Sequence, residues 1–394
     1  MPQVVGIVGA GTMGSGIAQA CLAAGKRVHL YDPDPAASAA ARERIADGLA
    51  RFVSKGRLTP EQHEAAMSSL VRVDGLAAVA QSAELVVEAA AEDLAIKQGI
   101  FAELDALSGA DVVLATNTSS LSVAAIATAT RRPERVIGLH FFNPVALMTL
   151  VEVVATTRTN VPTLELAIEF VASIGKTAVH SADAAGFIVN RVGRPFVLEA
   201  VRMLEAGQAS VAAIDAALEA AGYPMGPFRL IDLIGLDVDL AIDGILFEAF
   251  DEAARFKPPA LEQSLLDEGR LGRKSGHGFY RYGPGRTATP DFEAPRRVRA
   301  APVEALAADA IVERVELATI NEAYRAVEEA VASPPDVDTA MRLGAGHPLG
   351  PFERVDELGL RHIVTRLHEL HGTRAERSAD QYEVAASLWQ MATV

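Results

Sequence analysis

Two residues twelve positions apart, His140 and Glu152, are of types that move a proton together. His140 opens His140-Phe141-Phe142-Asn143-Pro144 at the end of one apolar run, and Glu152 stands inside the next, Leu150-Val151-Glu152-Val153-Val154. A carboxylate within an apolar strand needs a partner, because an isolated buried charge is expensive. Two strands joined through Pro144 would bring Glu152 beside His140, where the carboxylate orients the imidazole, as in proton-transfer enzymes. A structural histidine and an edge-strand glutamate are the alternative reading of the same residues.

A second group of residues is suited to holding phosphate. Gly9-Ala10-Gly11-Thr12-Met13-Gly14 follows the apolar run Val4 to Val8 and leads into an alanine-rich helical pattern, Ser15 to Ala24. A second strand, Val28 to Tyr31, ends at Asp32, 21 residues after Gly11. This strand, glycine turn, helix, strand and acid is the arrangement a dinucleotide site requires. Backbone amides at the helix N terminus face the pyrophosphate. Asp32 accepts from the adenosine ribose hydroxyls and repels a 2′-phosphate, which favours NAD over NADP. A helix-initiating turn and a turn aspartate are the plainer alternative. A third group, Thr116-Asn117-Thr118-Ser119-Ser120, sits just past an apolar strand, at the sheet edge where such folds bind ligands. Its residue types equally suit capping the next helix, and Ser120 is the natural cap while Ser119 points at substrate.

The elements that must position these groups are readable around them. Strands are expected at Leu85 to Val87, Val112 to Ala115 and Val136 to Leu139, with a helical stretch from Asp93 to Leu107. Such alternation implies an α/β fold, a parallel doubly wound sheet of Rossmann type. Pro35 to Val73 reads as an inserted helical hairpin, about residues 35–73, carrying Arg42, Arg44, Arg51, Lys55 and Arg57. These basic residues suit a solvated face or an anionic ligand. The dinucleotide domain is expected over 1–183. Amphipathic helices without clear strands follow over 184–282, opened by Gly186-Phe187-Ile188-Val189-Asn190-Arg191; a Pro-, Gly- and Arg-rich linker spans 283–304.

The helical module occurs twice, its second copy spanning 305–394. Tyr223-Pro224-Met225-Gly226-Pro227-Phe228 recurs as His347-Pro348-Leu349-Gly350-Pro351-Phe352, Ile188 to Val192 as Ile311 to Val315, and Asp232 as Asp356. Asn190 becomes Glu313 in the second copy, which no dinucleotide domain precedes, so that copy is expected to be scaffolding. It is expected to pack on the first as a pseudo-dimer, replacing a partner subunit; a homodimer beyond that is left open.

Composition narrows the function classes. The chain has 394 residues, 36 Lys and Arg against 51 Asp and Glu, and a formal net charge of −15, which disfavours nucleic acid as a partner. Cys21 is its one cysteine, so there is no intrachain disulfide and no thiol metal cluster, and no metal is expected. The least charged stretch, Val136 to Thr157, contains His140, Asn143, Pro144 and Glu152 and reads as a soluble core rather than a membrane span. Met1-Pro2-Gln3 lacks the basic start of an export signal, and the expected location is the cytoplasm.

Taken in order, Gly9 to Gly14; Glu88, Glu92, Asp93, Leu94 and Lys97; Asn117 to Leu121; Gly138 to Pro144; Gly186 to Arg191; Gly222 to Phe228; and Lys274 to Tyr280 resemble the L-3-hydroxyacyl-CoA dehydrogenase family over essentially the whole chain. The resemblance implies a Rossmann-type domain followed by two tandem all-α domains of the 6-phosphogluconate-dehydrogenase C-terminal type. It implies NAD as cofactor and an acyl-CoA as substrate, most simply 3-hydroxybutyryl-CoA, oxidised to the 3-ketoacyl-CoA. It makes His140 the acid/base and Glu152 its partner, with Ser119 and Asn190 hydrogen-bonded to the substrate's oxygens. Asn143 positions the nicotinamide, Glu92 and Lys97 line the NAD site beside Gly9 to Gly14 and Asp32, and Lys55 contacts coenzyme A. One departure stands out: the family often has serine where this chain has Gly48. Sugar-acid dehydrogenases share the fold and the His–Glu arrangement without needing coenzyme A, and Lys55 on its basic hairpin favours the thioester. A non-catalytic NAD-binding protein is the remaining alternative.

Overall fold

A computed structural model describes residues 1–283, 288–290, 305–372 and 379–393. Its contacts divide the chain into two compact units, Met1–Phe187 and Ile188–Val394.

The first unit is one sheet clad in helices. Strands β1 (Val4–Val8), β2 (Arg27–Tyr31), β3 (Leu70–Arg72), β4 (Leu85–Glu88), β5 (Val113–Thr116), β6 (Val136–Phe141), β7 (Leu150–Ala155) and β8 (Thr177–Ala182) lie in the order β3-β2-β1-β4-β5-β6-β7-β8. The first six run parallel and are rich in Val, Ile and Leu, as strands covered on both faces must be. Strand β7 turns back antiparallel on β6, and β8 runs parallel to β7. The parallel doubly wound sheet therefore carries a reversed pair at one edge. Sequence pattern did not show β3 or β8, because β3 has three residues and one buried side chain, and only two of the six residues of β8 are buried.

Helices α1 (Thr12–Ala23), α2 (Pro35–Ser54), α3 (Pro60–Ser68), α4 (Leu76–Ser82), α5 (Leu94–Leu107), α6 (Val123–Ala127) and α7 (Val161–Ser173) complete this unit. Their starts are chemically marked. Asp34 caps α2 ahead of Pro35, Thr59 and Gln62 form a capping box on α3, and Asp93 caps α5. The excursion after β2 is thus the expected helical hairpin, α2 and α3, closed by edge strand β3. Gly138 lets β6, β7 and α6 approach, since a Cβ there would stand 2.7 Å from Val154 Cβ and 3.0 Å from Val123 Cγ2. Cys21 is fully buried in the core, and burial pushes its thiol up to about 12, so it is inert at neutral pH.

The second unit contains α8 (Val189–Val192), α9 (Arg194–Glu205), α10 (Val211–Ala220), α11 (Pro227–Ile234), α12 (Leu236–Ala249), α13 (Ala260–Asp267), α14 (Ala308–Glu328), α15 (Pro334–Gly344), α16 (Pro351–Leu358), α17 (Leu360–Gly372) and α18 (Ala386–Thr393). Strand β9 (Tyr280–Tyr282) pairs antiparallel with β10 (Ala288–Pro290). The linker expected over 283–304 lies outside the described residues apart from Gly283 and β10. Both helical copies share this unit, and the repeat is visible bond by bond: Asp215 accepts from the Phe228 amide at 2.9 Å, and its counterpart Asp338 accepts from the Phe352 amide at 2.8 Å. Each aspartate sits where a Cβ on Gly226 or Gly350 would lie, 2.4 and 2.3 Å from the carboxyl carbon, which explains the glycine in both copies.

The two copies hold each other by reciprocal contacts. Arg191 donates to Glu322 at 2.7 Å, and Arg314 donates to Glu199 at 2.7 Å; each residue of the second copy stands 123 positions after its counterpart in the first. Gly222 packs on Pro348 while Gly346 packs on Pro224, and the counterparts Tyr223 and His347 meet edge to face with ring centroids 5.0 Å apart. This reciprocity is what a two-fold interface between like modules shows. Glu313, standing where the first copy has Asn190, is engaged by Arg366 at 2.8 Å and His362 at 3.1 Å of its own copy. Among the described residues no helix is long and apolar enough to cross a membrane.

Candidate active site

The carboxyl ends of β1, β4, β5 and β6 carry the candidate groups. The antiparallel register of β6 and β7 sets His140 directly opposite Glu152. Imidazole Nδ1 lies 2.6 Å from Glu152 Oε2, with Glu152 fully buried and His140 6% exposed. A carboxylate accepts only, so the bonded nitrogen carries the hydrogen and Nε2 is left with the lone pair. Phe142 and Phe187 pack around the ring with centroids 4.5 and 5.8 Å away. The contact between His140 and Glu152 expected from two sequence runs is therefore present.

The β5 loop is tied into the same region. Asn117 Oδ1 accepts from the Phe141 amide at 2.9 Å, next to His140. Glu92 Oε1 accepts from the Thr118 hydroxyl, from the Ser119 amide at 3.0 Å and from the Ser120 hydroxyl at 3.1 Å. Ser120 thus serves Glu92, and the cap of the next helix is Ser122, which accepts from the Ala125 amide, with Asp183 accepting from the Val123 and Ala124 amides. Ser119 is exposed on this braced loop. Burial would raise the Glu92 carboxyl, but the Thr118 hydroxyl, the Lys97 charge and the Ser119 amide hold it below the usual carboxylate range. Its stabilising contribution is accordingly full at neutral pH and lost as pH falls through that depressed value.

Behind Glu92 stands a residue that sequence reasoning gave no site role, Glu88 at the end of β4. It is fully buried and accepts from Lys97 Nζ at 2.7 Å, the Ala90 amide at 2.6 Å and the Thr116 hydroxyl at 2.7 Å. Lys97, 1% exposed, bridges on to Glu92 Oε2 at 3.2 Å. The signal was there: Lys97 shares the buried face of α5 with Phe101 and Leu104, and a lysine on an apolar face calls for a buried carboxylate. Replacing Lys97 by methionine leaves Glu88 buried without its cation, and we expect a loss of about 3 kcal/mol or more of stability, read by urea unfolding.

The glycine turn fits a dinucleotide. Gly9 has φ +103°, and a Cβ there would lie 2.4 Å from the Ala89 carbonyl oxygen. A Cβ on Gly14 would lie 1.9 Å from the Gly9 oxygen, while nothing stands within 4 Å of a Cβ on Gly11, so the turn is closed behind and open in front. Among the described residues no side chain caps α1, and its first turn has no acidic residue. Asp32 accepts from the Ala10 amide at 2.7 Å and from the Asp34 amide at 2.9 Å, fixing its carboxylate beside the turn that holds Ala10, Thr12 and Met13.

The remaining expected site residues lie elsewhere. Asn143 is exposed just after β6, and Lys55 is exposed at the α2 end of the helical hairpin. Gly48, on α2, faces Gln19 of α1; a Cβ there would stand 2.1 Å from Gln19 Oε1, so a serine at this position requires Gln19 to move. Asn190 is half-buried on α8 of the second unit.

Comparison with known proteins identifies a family for both units of the chain. The model of the 3-hydroxyacyl-CoA dehydrogenase NAD-binding domain matches residues 4–184, and that of the 3-hydroxyacyl-CoA dehydrogenase C-terminal domain matches residues 186–282 and again 311–393. A 3-hydroxyadipyl-CoA dehydrogenase of Escherichia coli K12 is 37% identical, with 93% of each chain covered. A 3-hydroxybutyryl-CoA dehydrogenase of Mycobacterium tuberculosis is 44% identical over 71% of this chain and 98% of its own. The crystal structure of a 3-hydroxybutyryl-CoA dehydrogenase from E. coli K12 superposes with a TM-score of 0.89 at 34% identity, covering 100% of this chain and 98% of that one.

Proposed function

We propose that His140 is the acid/base and Glu152 its orienting partner in this chain, which belongs to the 3-hydroxyacyl-CoA dehydrogenase family and carries out the NAD-dependent oxidation of 3-hydroxyacyl-CoA thioesters. The observation that carries the assignment is the 2.6 Å contact between His140 Nδ1 and the fully buried Glu152.

NAD supplies the hydride acceptor when bound, and the chain's own residues handle the proton. His140 Nε2 takes the proton of the substrate's 3-hydroxyl as the C3 hydride departs, and returns it to the ketone oxygen in the reverse direction. Glu152 holds the ring by Nδ1 and stabilises the imidazolium that forms. The uncapped α1 amides meet the pyrophosphate and Asp32 the ribose hydroxyls. Glu88 and Lys97 act one step back, holding Glu92 and through it the loop of Ser119. Ser119 and Asn190 are the proposed hydrogen-bond partners of the substrate's oxygens, Asn143 positions the nicotinamide, and Lys55 meets a phosphate of coenzyme A. The names of the relatives support a short acyl tail of butyryl or adipyl type. The reciprocal contacts between the helical copies support the reading that the second copy takes the place of a partner subunit.

Glu152→Gln tests the pair. It keeps the side chain's shape but presents no charge to the ring, and we expect kcat with acetoacetyl-CoA to fall on the order of 100-fold or more while NADH affinity is unchanged. Wild-type turnover in this variant would overturn the assignment.

A further inference from the structure

Arg44 stands on α2, in the inserted hairpin, yet its guanidinium reaches the glycine turn. Its Nη2 donates to the Ala10 carbonyl at 2.6 Å and its Nε to the Ser15 hydroxyl oxygen at 3.3 Å. Those two acceptors bracket the start of α1. An exposed arginine usually moves freely, because ordering its side chain costs conformational entropy. Two bonds hold this one in place, and both acceptors are neutral. No carboxylate pairs with Arg44 among the described residues, so its full charge persists in a chain of net charge −15.

The surroundings define what that charge is for. Asp32, which also bonds Ala10, is committed to the amides of Ala10 and Asp34. The first turn of α1 has no acidic residue, and the space in front of Gly11 is open. A cation is therefore fixed beside an uncapped helix N terminus, whose amides already carry about half a positive charge. Two positive features converging on one opening suit a dianion better than a single charge. Arginine has five N–H donors, of which two are used here.

We propose that Arg44 is a ligand of the cofactor's pyrophosphate, recruited from the inserted hairpin. This rests on the NAD reading above. It also gives α2 a second role, since the bond to Ala10 couples the position of the hairpin to the turn that holds the cofactor.

The test is binding, measured on the full chain by NADH fluorescence titration, with ADP, adenosine and NADPH as competing probes. Arg44→Met should weaken NADH and ADP about tenfold, leave adenosine unchanged, and flatten the dependence of NADH affinity on KCl; Arg44→Lys should recover part of the loss. Adenosine reports whether the turn is still folded, because it uses Asp32 and lacks the pyrophosphate. Unchanged ADP and NADH affinity in Arg44→Met would overturn the proposal. So would an equal loss for adenosine, which would make Arg44 a brace for the turn, or a loss confined to NADPH, which would make it a 2′-phosphate ligand. A wild-type chain that does not bind NADH would overturn the cofactor reading and this inference with it.

Discussion

His140→Ala lowers kcat about 100- to 10,000-fold and leaves NADH binding as it is. The size follows from what is removed: Nε2 is the one ring atom left to take the hydroxyl proton once Nδ1 is bonded to Glu152 at 2.6 Å. The specificity follows from where the residue sits. His140 is on β6, whereas the glycine turn lies between β1 and α1 and Asp32 follows β2. The Ser119 amide and the Thr118 hydroxyl are held by Glu92. Stopped-flow turnover with acetoacetyl-CoA, together with NADH fluorescence titration, separates the two effects. Near-normal turnover in His140→Ala would remove His140 from the chemistry; lost NADH binding would mean the substitution had damaged the sheet edge.

A chain ending at Tyr282, which lacks the second helical copy, does not give a stable active monomer; it unfolds or aggregates. Arg191, fully buried, would lose Glu322 at 2.7 Å and Glu329 at 2.7 and 2.9 Å, and buried Glu199 would lose Arg314 and the Tyr382 hydroxyl. Removing one partner of a buried ion pair costs about 3–5 kcal/mol, so two such losses rival a typical total stability of about 5–15 kcal/mol. Ile311 and Val315 of α14 also belong to the core formed with Phe196, Val201 and Ile214, and their removal opens that core to water. In the intact chain burial would raise the Glu199 carboxyl, but Arg314 and Arg202 hold it at about 2. A lowered carboxylate stabilises above its ordinary value and loses that contribution only as pH falls towards 2, so the interface should persist through mild acid. Size-exclusion chromatography and thermal unfolding of the truncated chain check the expectation. A monomeric, folded and active product would show that the second copy is dispensable.

Local chemistry was legible in the sequence, and long-range pairing was not. The glycine turn and Asp32 were readable because strand, turn and helix are neighbours in the chain, and Gly9 and Gly14 each answer a nearby steric demand. His140 and Glu152 were readable as a pair because an antiparallel return through Pro144 needs few residues. Glu88 escaped because its partners are Lys97 on a later helix and Thr116 on another strand. Ser120 suggested a helix cap by type, but Glu92, 28 residues away, claims its hydroxyl. The repeat itself was visible, whereas the reciprocity of its contacts was not, since Arg191 and Glu322 are 131 residues apart. The sugar-acid reading shared the fold and the His–Glu arrangement; relatives named for acyl-CoA substrates over 93% and 71% of the chain favour the thioester.

The most direct test is the loss of NADH absorbance on mixing the chain with acetoacetyl-CoA, run beside NADPH and beside free acetoacetate. Fast turnover of the thioester with NADH alone is the predicted result, and it reports reaction, cofactor and coenzyme A dependence at once. Reduction of free acetoacetate as fast as the thioester, or preference for NADPH, would contradict it.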